Sequence, residues 1–422
     1  MDNNNLRLEK VEIKKMWGIK NIKVTLSNIN LFVGLNGTGK TTFINIIEAV
    51  STCDCESLLR LNFKSCTLFF ENNTSITCSR FIEKSDSDII KYKIVENGSV
   101  IFEDKFDGSM VIQRNYRIRK TRRLPTRFMY PFDISNEILS KLKKIINISW
   151  ISVERSYIIQ DEDNDLYEKN EGVNGKLREL ITRIRFYQSE IEALEKESLE
   201  SFRNKIFELM LYDEKLDDPS AFQVPQDDSW SKQLKKVFKD LGLQEISIMS
   251  KLDKHVTKMQ EVFKNSSSND DTINKNIFMF TLFNRTQGII NYSKVADEQR
   301  KKIRKNYEIY LGQIEKFLKK KITGIHSQIN RDEKIFNFDE LSSGEKQILI
   351  LLSEALLQKN DKSLFIADEP ELSLHISWQR EIINAIHSLN PNAQLIFATH
   401  SPEVVSLWKD YVINMENITS SI

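Results

Sequence analysis

With 422 residues, 40% of them hydrophobic, the chain is long enough for two or three packed domains. No apolar run approaches the ~20 residues that span a bilayer, which excludes a membrane-spanning helix. A net charge of +1 with 29% charged residues excludes a global pull toward nucleic acid or membrane, so any such binding must be local.

The opening Met1-Asp2-Asn3-Asn4-Asn5 lacks the basic and apolar regions of a signal peptide, and a cytoplasmic location is expected. Leu6 to Asn30 reads as two short strands around Trp17-Gly18, from the alternation of Leu8, Val11 and Ile13 and then of Ile22, Val24 and Leu26. An apolar run, Ile29 to Val33, then meets Gly34-Leu35-Asn36-Gly37-Thr38-Gly39-Lys40-Thr41-Thr42, and an amphipathic segment runs on from Phe43 to Val50. This is a G-x-x-x-x-G-K-[ST] loop between a predicted strand and a predicted helix, the context in which the pattern marks a nucleotide site. Gly37 and Gly39 let backbone N–H groups, with that of Asn36, curl around phosphates without Cβ clashes. The next helix aims its positive end at the same place. Lys40 is expected to neutralise β/γ charge, the Thr41 hydroxyl to ligate Mg²⁺, and Thr42 to extend the phosphate contacts.

Cys53, Cys55, Cys66 and Cys78 have neither C-x-x-C spacing nor a nearby histidine pair, so reduced thiols are expected rather than a zinc site or disulfides. Four β-rich segments (Cys66 to Phe70, Ser75 to Ile82, Ile89 to Val95, Ser99 to Phe102) are separated by turn-forming Glu71-Asn72-Asn73 and Asn97-Gly98, the pattern of an antiparallel meander. From Arg114 to Arg127 come seven basic residues and no acidic one, with aromatics Tyr116, Phe128 and Tyr130 in or beside them. Two readings stand: a phosphate-backbone or partner contact, or a solvated hairpin. A buried strand is predicted over Ile145 to Val153, and the acidic run Asp161 to Asp165 reads as an exposed loop.

At Lys176 the period becomes helical: Leu177, Leu180, Ile184, Tyr187, Ile191 and Leu194 form a heptad seam. A second seam (Tyr307, Leu311, Ile314, Leu318, then Ile322 and Ile325) returns late, with shorter helices predicted over Ser229 to Leu241 and Ile246 to Phe263. The two seams predict an antiparallel helical arm inserted over 156–330, between an N-terminal lobe (1–155) and a C-terminal lobe (331–422).

In the C-terminal lobe, Leu341-Ser342-Ser343-Gly344-Glu345-Lys346-Gln347 opens an apolar helix, offering free N–H groups to an anion. A buried strand, Ser363 to Ala367, ends in Asp368-Glu369-Pro370-Glu371, where one carboxylate suits Mg²⁺ and a neighbour suits orienting the attacking water. A further buried strand, Gln394 to Thr399, ends at His400-Ser401-Pro402, where an imidazole can touch a γ-phosphate.

Gly34 to Thr42, Leu341 to Gln347, Leu364 to Glu371 and His400 resemble, in order, the Walker A, signature, Walker B and switch-histidine motifs of an ABC-type ATPase head of the SMC/RecF class. The wording Asp-Glu-Pro-Glu-Leu-Ser-Leu-His and Ala-Thr-His-Ser-Pro is similar to OLD-like ATPases of prokaryotic anti-phage defence, such as those of the Septu and PARIS systems. The resemblance covers roughly 1–155 and 331–422, and the insertion carries none of it. It implies an α/β P-loop fold of two lobes interrupted by a coiled-coil insertion, with ATP and Mg²⁺ as cofactors. Lys40 and Thr41 would serve phosphate and metal, Asp368 would support Mg²⁺, Glu369 would be the catalytic carboxylate and His400 would sense the γ-phosphate. Ser342 and Gly344 would bind the ATP of a second subunit, so the implied active form is an ATP-sandwiched homodimer or higher oligomer. A glutamine expected at the lobe–insertion junction as a further metal-side residue is either Gln113 or Gln160, with Gln160 fitting the order slightly better. The signature departs from the usual pattern at Ser343 and at Glu345, whose charge would stand near the partner's phosphate. Ile376 replaces a usual proline after His375.

About 300 residues separate Lys40 from Ser342, too many for a compact transporter head, and 22 residues come after His400, too few for an appended nuclease domain. The resemblance therefore implies a defence ATPase that holds or regulates a separate effector, expected to be a nuclease. The alternative is a RecF/SMC-like repair ATPase that clamps DNA, with the 114–127 stretch as contact.

Overall fold

The computed structural model describes residues 5–82, 88–107, 136–151, 172–214, 216, 227–265, 270–318 and 340–421. Gln113, Gln160, Arg114 to Arg127, the acidic run 161–165 and the seam positions Ile322 and Ile325 lie outside the described residues. The chain divides into two compact units, Met1–Arg185 with Asn306–Ile422, and Phe186–Lys305.

The first unit contains two sheets. In one, β1 (Leu8–Met16) and β2 (Lys20–Thr25) pair as a hairpin, and β4 (Ser65–Phe70), β5 (Thr74–Ile82), β6 (Asp88–Glu96) and β7 (Ser99–Asp107) form the expected antiparallel meander beside it. Asn72, Asn73, Asn97 and Gly98 take positive φ in the two tight turns, as asparagine and glycine do at least cost. With the short C-terminal β12 (Thr419–Ser421) beside β2, the order is β12-β2-β1-β4-β5-β6-β7.

The second sheet is parallel, in the order β11-β3-β10-β9-β8, from β3 (Ile29–Val33), β8 (Ile148–Ile151), β9 (Ser363–Asp368), β10 (Ala393–Ala398) and β11 (Val412–Asn414). Strands β9 and β10 are buried at every position, which is why both read as continuous apolar runs rather than alternating ones. The strand expected over Ile145 to Val153 is shorter among the described residues: Ile145 closes helix α3 (Asn136–Ile145), which starts with Glu137 in its first turn and ends on Lys143 and Lys144, charges that suit the helix dipole.

Helix α1 (Lys40–Thr52) packs its apolar face against both sheets, with α2 (Cys55–Arg60) beside it; Phe43, Ile44, Ile46 and Ile47 are buried beside Phe32 and Ile396. Asp54 caps α2 by accepting from the Glu56 and Ser57 N–H groups. The four cysteines are free and buried in this core, Cys66 directly opposite Cys78 across β4 and β5, and burial pushes the Cys66 thiol well above its ordinary range. Tyr92 of β6, also fully buried, donates its hydroxyl to the Val50 carbonyl at 3.1 Å. That carbonyl belongs to the last turn of α1, where the helix has no donor of its own to offer.

In the second unit, the distal part of α4 (Gly172–Glu208) and the central part of α7 (Asp270–Leu318) run antiparallel: Ser198 donates to Gln299 and Glu195 pairs with Arg304. The shorter helices α5 (Ser229–Asp240) and α6 (Ile246–Asn265) close a small core in which Trp230, Phe263 and Phe283 meet edge to face. The first seam is not uniformly buried: Leu177, Leu180, Ile184 and Ile191 are, while Leu194 is exposed.

Tyr92→Phe should lower the unfolding free energy by about 1–3 kcal/mol, the cost of leaving a buried carbonyl short of its donor. Urea denaturation of the two proteins tests this, and equal midpoints and slopes would rule the bond out as a contributor.

Candidate functional site

Strand β10 lies between β3 and β9, and parallel pairing places Phe32, Ala398 and Asp368 in one row. The segments leaving the three strand ends therefore emerge at the same edge: the glycine loop after β3, Glu369 after β9, His400 after β10. Two backbone bonds continue the ladder past the strand ends, Glu369 N–H to Ala398 O at 2.8 Å and Thr399 N–H to Phe32 O at 3.1 Å.

The loop closes on itself before α1 begins. Thr38 donates its hydroxyl to Leu35 O at 2.8 Å, and Gly39 takes φ 104°, a conformation glycine adopts freely. A Cβ on Gly39 would also stand 2.7 Å from the Met16 side chain and 3.1 Å from the Trp17 ring. The hairpin turn at Trp17-Gly18 thus backs the loop. Asn36 and Gly37 are exposed at its tip, Thr41 faces outward at the helix start and Thr42 is half-buried. Lys40 is buried, and its ammonium crosses back to the Gly34 and Leu35 carbonyls at 3.0 and 3.3 Å. Burial pulls its pKa below the ordinary lysine value, while the carboxylates of Glu369, Asp368 and Glu371 act in the other direction.

Asp368, 4% exposed, ends β9 beside Lys40 and the Thr41 hydroxyl. Burial pushes its carboxyl up to about 6; the nearby Thr41 hydroxyl counters this, and the Glu369 and Glu371 charges add to it. Its Oδ1 is buried without a hydrogen-bond partner. An orphaned carboxylate oxygen beside a threonine hydroxyl is a hard-oxygen donor set that fits Mg²⁺. Among the described residues no group of three or more His, Cys, Asp or Glu side chains converges on a metal. Glu369 takes a left-handed backbone (φ 44°), and its Oε1 stands 3.7 Å from His400 Nε2.

The structure thus gathers Lys40, Thr41, Asp368, Glu369 and His400. Ser342 and Gly344 stand elsewhere, at the start of helix α8 (Ser343–Leu357). Ser342 caps this helix: its Oγ accepts from the Glu345 N–H at 3.3 Å, and the Glu345 carboxylate accepts from the Ser342 N–H at 2.7 Å, a reciprocal capping box. The charge expected to stand near a partner's phosphate is engaged in its own helix cap. Gly344 packs against the loop between β9 and α9 (Ile376–Leu389), and a Cβ there would drive into the Ser373 carbonyl. His375 caps α9, its Nδ1 accepting from the Ser377 N–H at 3.3 Å, so this helix starts without the missing proline. Sequence reasoning gives no role to Trp17, Ser373 or Glu371. The Ser342-to-Glu345 spacing is a legible capping signal; the others act across long separations and leave no local pattern.

A P-loop between a parallel strand and its helix, a strand-end Asp-Glu pair and a histidine just past the adjacent strand define a P-loop ATPase fold, here with a long helical insertion. The chain belongs to the family described as "AAA domain, putative AbiEii toxin, Type IV TA system", which it matches over residues 29–406. It is similar to "Retron Vc95 probable ATPase" of Vibrio cholerae serotype O1 biovar El Tor, 21% identical over 437 residues that cover 96% of this chain and 72% of that protein. "Septu protein PtuA" of Bacillus thuringiensis is 35% identical over 81 residues, 16% of this chain and 20% of that protein. Among solved structures, the Smc head domain with an extended coiled coil from Pyrococcus furiosus, bound to the C-terminal domain of ScpA, aligns over 99% of this chain and 96% of its own at a TM-score of 0.39 and 13% identity.

Because the Asp368 carboxyl holds its proton more tightly in the fold than in the unfolded chain, its contribution to stability is present in acid and is lost as pH rises through about 6. Metal-free Asp368→Asn should therefore melt higher than wild type at about pH 7.5, with the gap closing near pH 4. It should also lose any further stabilisation by Mg²⁺ and ATP. A gap that does not change with pH would contradict the assignment.

Proposed function

We propose that this protein binds ATP with Mg²⁺ and hydrolyses it, and that ATP-dependent pairing of two copies regulates a separate effector in anti-phage defence. One observation carries the hydrolysis reading: Lys40, Thr41, Asp368, Glu369 and His400 come from separate stretches of sequence and meet at one sheet edge. Lys40 neutralises phosphate charge; Thr41 and Asp368 would hold Mg²⁺, which when bound would supply positive charge against the phosphates. Glu369 orients the attacking water and accepts its proton, and His400 holds the γ-phosphate end from the neighbouring strand. Ser342 and Gly344 offer the start of α8 to the nucleotide of a second copy, and the insertion, expected over 156–330, is the part left to engage a partner.

The defence reading is supported by the names of the similar proteins, an ATPase of a retron and PtuA of Septu, together with the family to which the chain belongs. The effector as a nuclease and the site of action as the cytoplasm are inferences from that kinship. No helix among the described residues is long and apolar enough to cross a membrane. The DNA-clamp alternative rests on the basic residues between Arg114 and Arg127.

Glu369→Gln should retain ATP binding and lose about a hundredfold or more in turnover, accumulating as a dimer or larger assembly. Light-scattering mass with ATP and Mg²⁺ checks this: a variant that binds ATP yet stays monomeric would sink the pairing. Co-purification of the same variant from cells carrying the neighbouring genes separates the two readings. A stoichiometric protein without DNA supports the effector reading, and DNA lost when the 114–127 arginines become alanine supports the clamp.

A further inference from the structure

Glu371 stands three residues beyond Asp368 and is 6% exposed. Its Oε1 accepts from three donors on the histidine side of the site: the Thr399 hydroxyl at 2.5 Å, the His400 N–H at 3.0 Å and the Ser401 N–H at 3.2 Å. The two amides lie past the end of β10, where the sheet ladder no longer supplies acceptors, and Glu371 supplies one. A second tie comes from α9. The Gln379 Oε1 accepts the Ser401 hydroxyl at 2.7 Å, while its Nε2 donates to Leu374 O at 3.0 Å. Residues 399–401 are thus fastened to the segment just beyond Glu369. The His400 ring, by contrast, stays more than a third exposed, with Nε2 directed toward Glu369.

We propose that Glu371 is a positioning residue for the hydrolysis inferred above: its carboxylate fixes the backbone of Thr399–Ser401 and so sets where the His400 imidazole stands relative to Glu369 and the γ-phosphate. This rests on the hydrolysis reading. Its role is that of an acceptor. One oxygen is occupied by three donors, so that oxygen does not serve as the base, and the reach of the effect is through His400. The other oxygen, Oε2, is buried and without a partner, which leaves direct metal contact as the rival role that the experiment must separate.

Glu371→Gln keeps an oxygen able to accept the same three bonds; Glu371→Ala removes it. Expected are a kcat near wild type for Glu371→Gln, a fall of about tenfold to a hundredfold for Glu371→Ala, as a small misplacement of a reacting group costs, and a KM that barely moves in either. Combined with His400→Ala, Glu371→Ala should cost little more than His400→Ala alone, because the two act as one unit. Hydrogen exchange gives a readout independent of turnover: the peptide holding Thr399 to Ser401 should exchange faster in Glu371→Ala and as in wild type in Glu371→Gln. A Glu371→Gln variant as inactive as Glu369→Gln would overturn positioning in favour of a metal or charge role. Full additivity with His400→Ala, or unchanged exchange in Glu371→Ala, would overturn it as well. A wild-type chain that binds ATP without turning it over would instead defeat the hydrolysis reading, with the exchange result still deciding whether Glu371 fixes the loop.

Discussion

Parallel pairing of β3, β10 and β9 sets Phe32, Ala398 and Asp368 side by side, and the chemistry at this edge depends on that register. A slip of one residue would shift a strand end by about 3.3 Å and turn its side chains to the opposite face. Asp368 would then leave Thr41, and His400 would leave Glu369. The register is held by interior packing, with β9 and β10 buried throughout and Phe32 against Phe43 at 4.7 Å between ring centres. Fold and site are therefore joined at one place: the residues that make the sheet cohesive also set the distances among the polar groups beyond it.

That placement comes at an electrostatic cost. Three carboxylates, Asp368, Glu369 and Glu371, are concentrated near a single buried ammonium, and burial pushes the Asp368 carboxyl up to about 6. Such a cluster is poorly solvated by the protein alone, which makes the edge receptive to a cation. Glu371 meets part of the demand by collecting donors from the neighbouring strand, so the groups beyond β9 and β10 are linked by more than proximity.

The glycine loop, the Asp-Glu pair and the histidine are legible in the sequence because their chemistry demands particular residues at short spacing. The meander is legible because alternation and turn residues agree. Less is visible where a residue acts across the chain. Glu371 bonds to positions 28 to 30 residues away, and no local period marks such a link. Glu345 shows a different failure: set beside a family pattern it looks like a stray charge, whereas its spacing from Ser342 reads as a helix cap. Hydrophobicity alone places Ile145 in a strand, yet the preceding segment is amphipathic at helical spacing and buries Ile138, Leu142 and Ile145 together. On α4 the seam continues past the point where burial stops, since heptad spacing records which face is apolar and not what covers it.

The contacts around α8 tie it to the portions of both long helices that lie in the first unit. Glu354, 5% exposed, pairs with Lys176 at 2.6 Å and Arg183 at 3.6 Å on α4, and the adjacent Ser353 bonds the Tyr310 hydroxyl of α7 at 2.9 Å. Burying Glu354 is tolerable because two cations share it. The four cysteines, all free and all buried in the head core, have a practical consequence of another kind. The native side chains offer no accessible thiol to compete with a reagent, so a single cysteine introduced at an exposed position such as Leu194 would carry a fluorophore or spin label against a silent background. Such a label reports on the inserted helices in the otherwise unaltered chain.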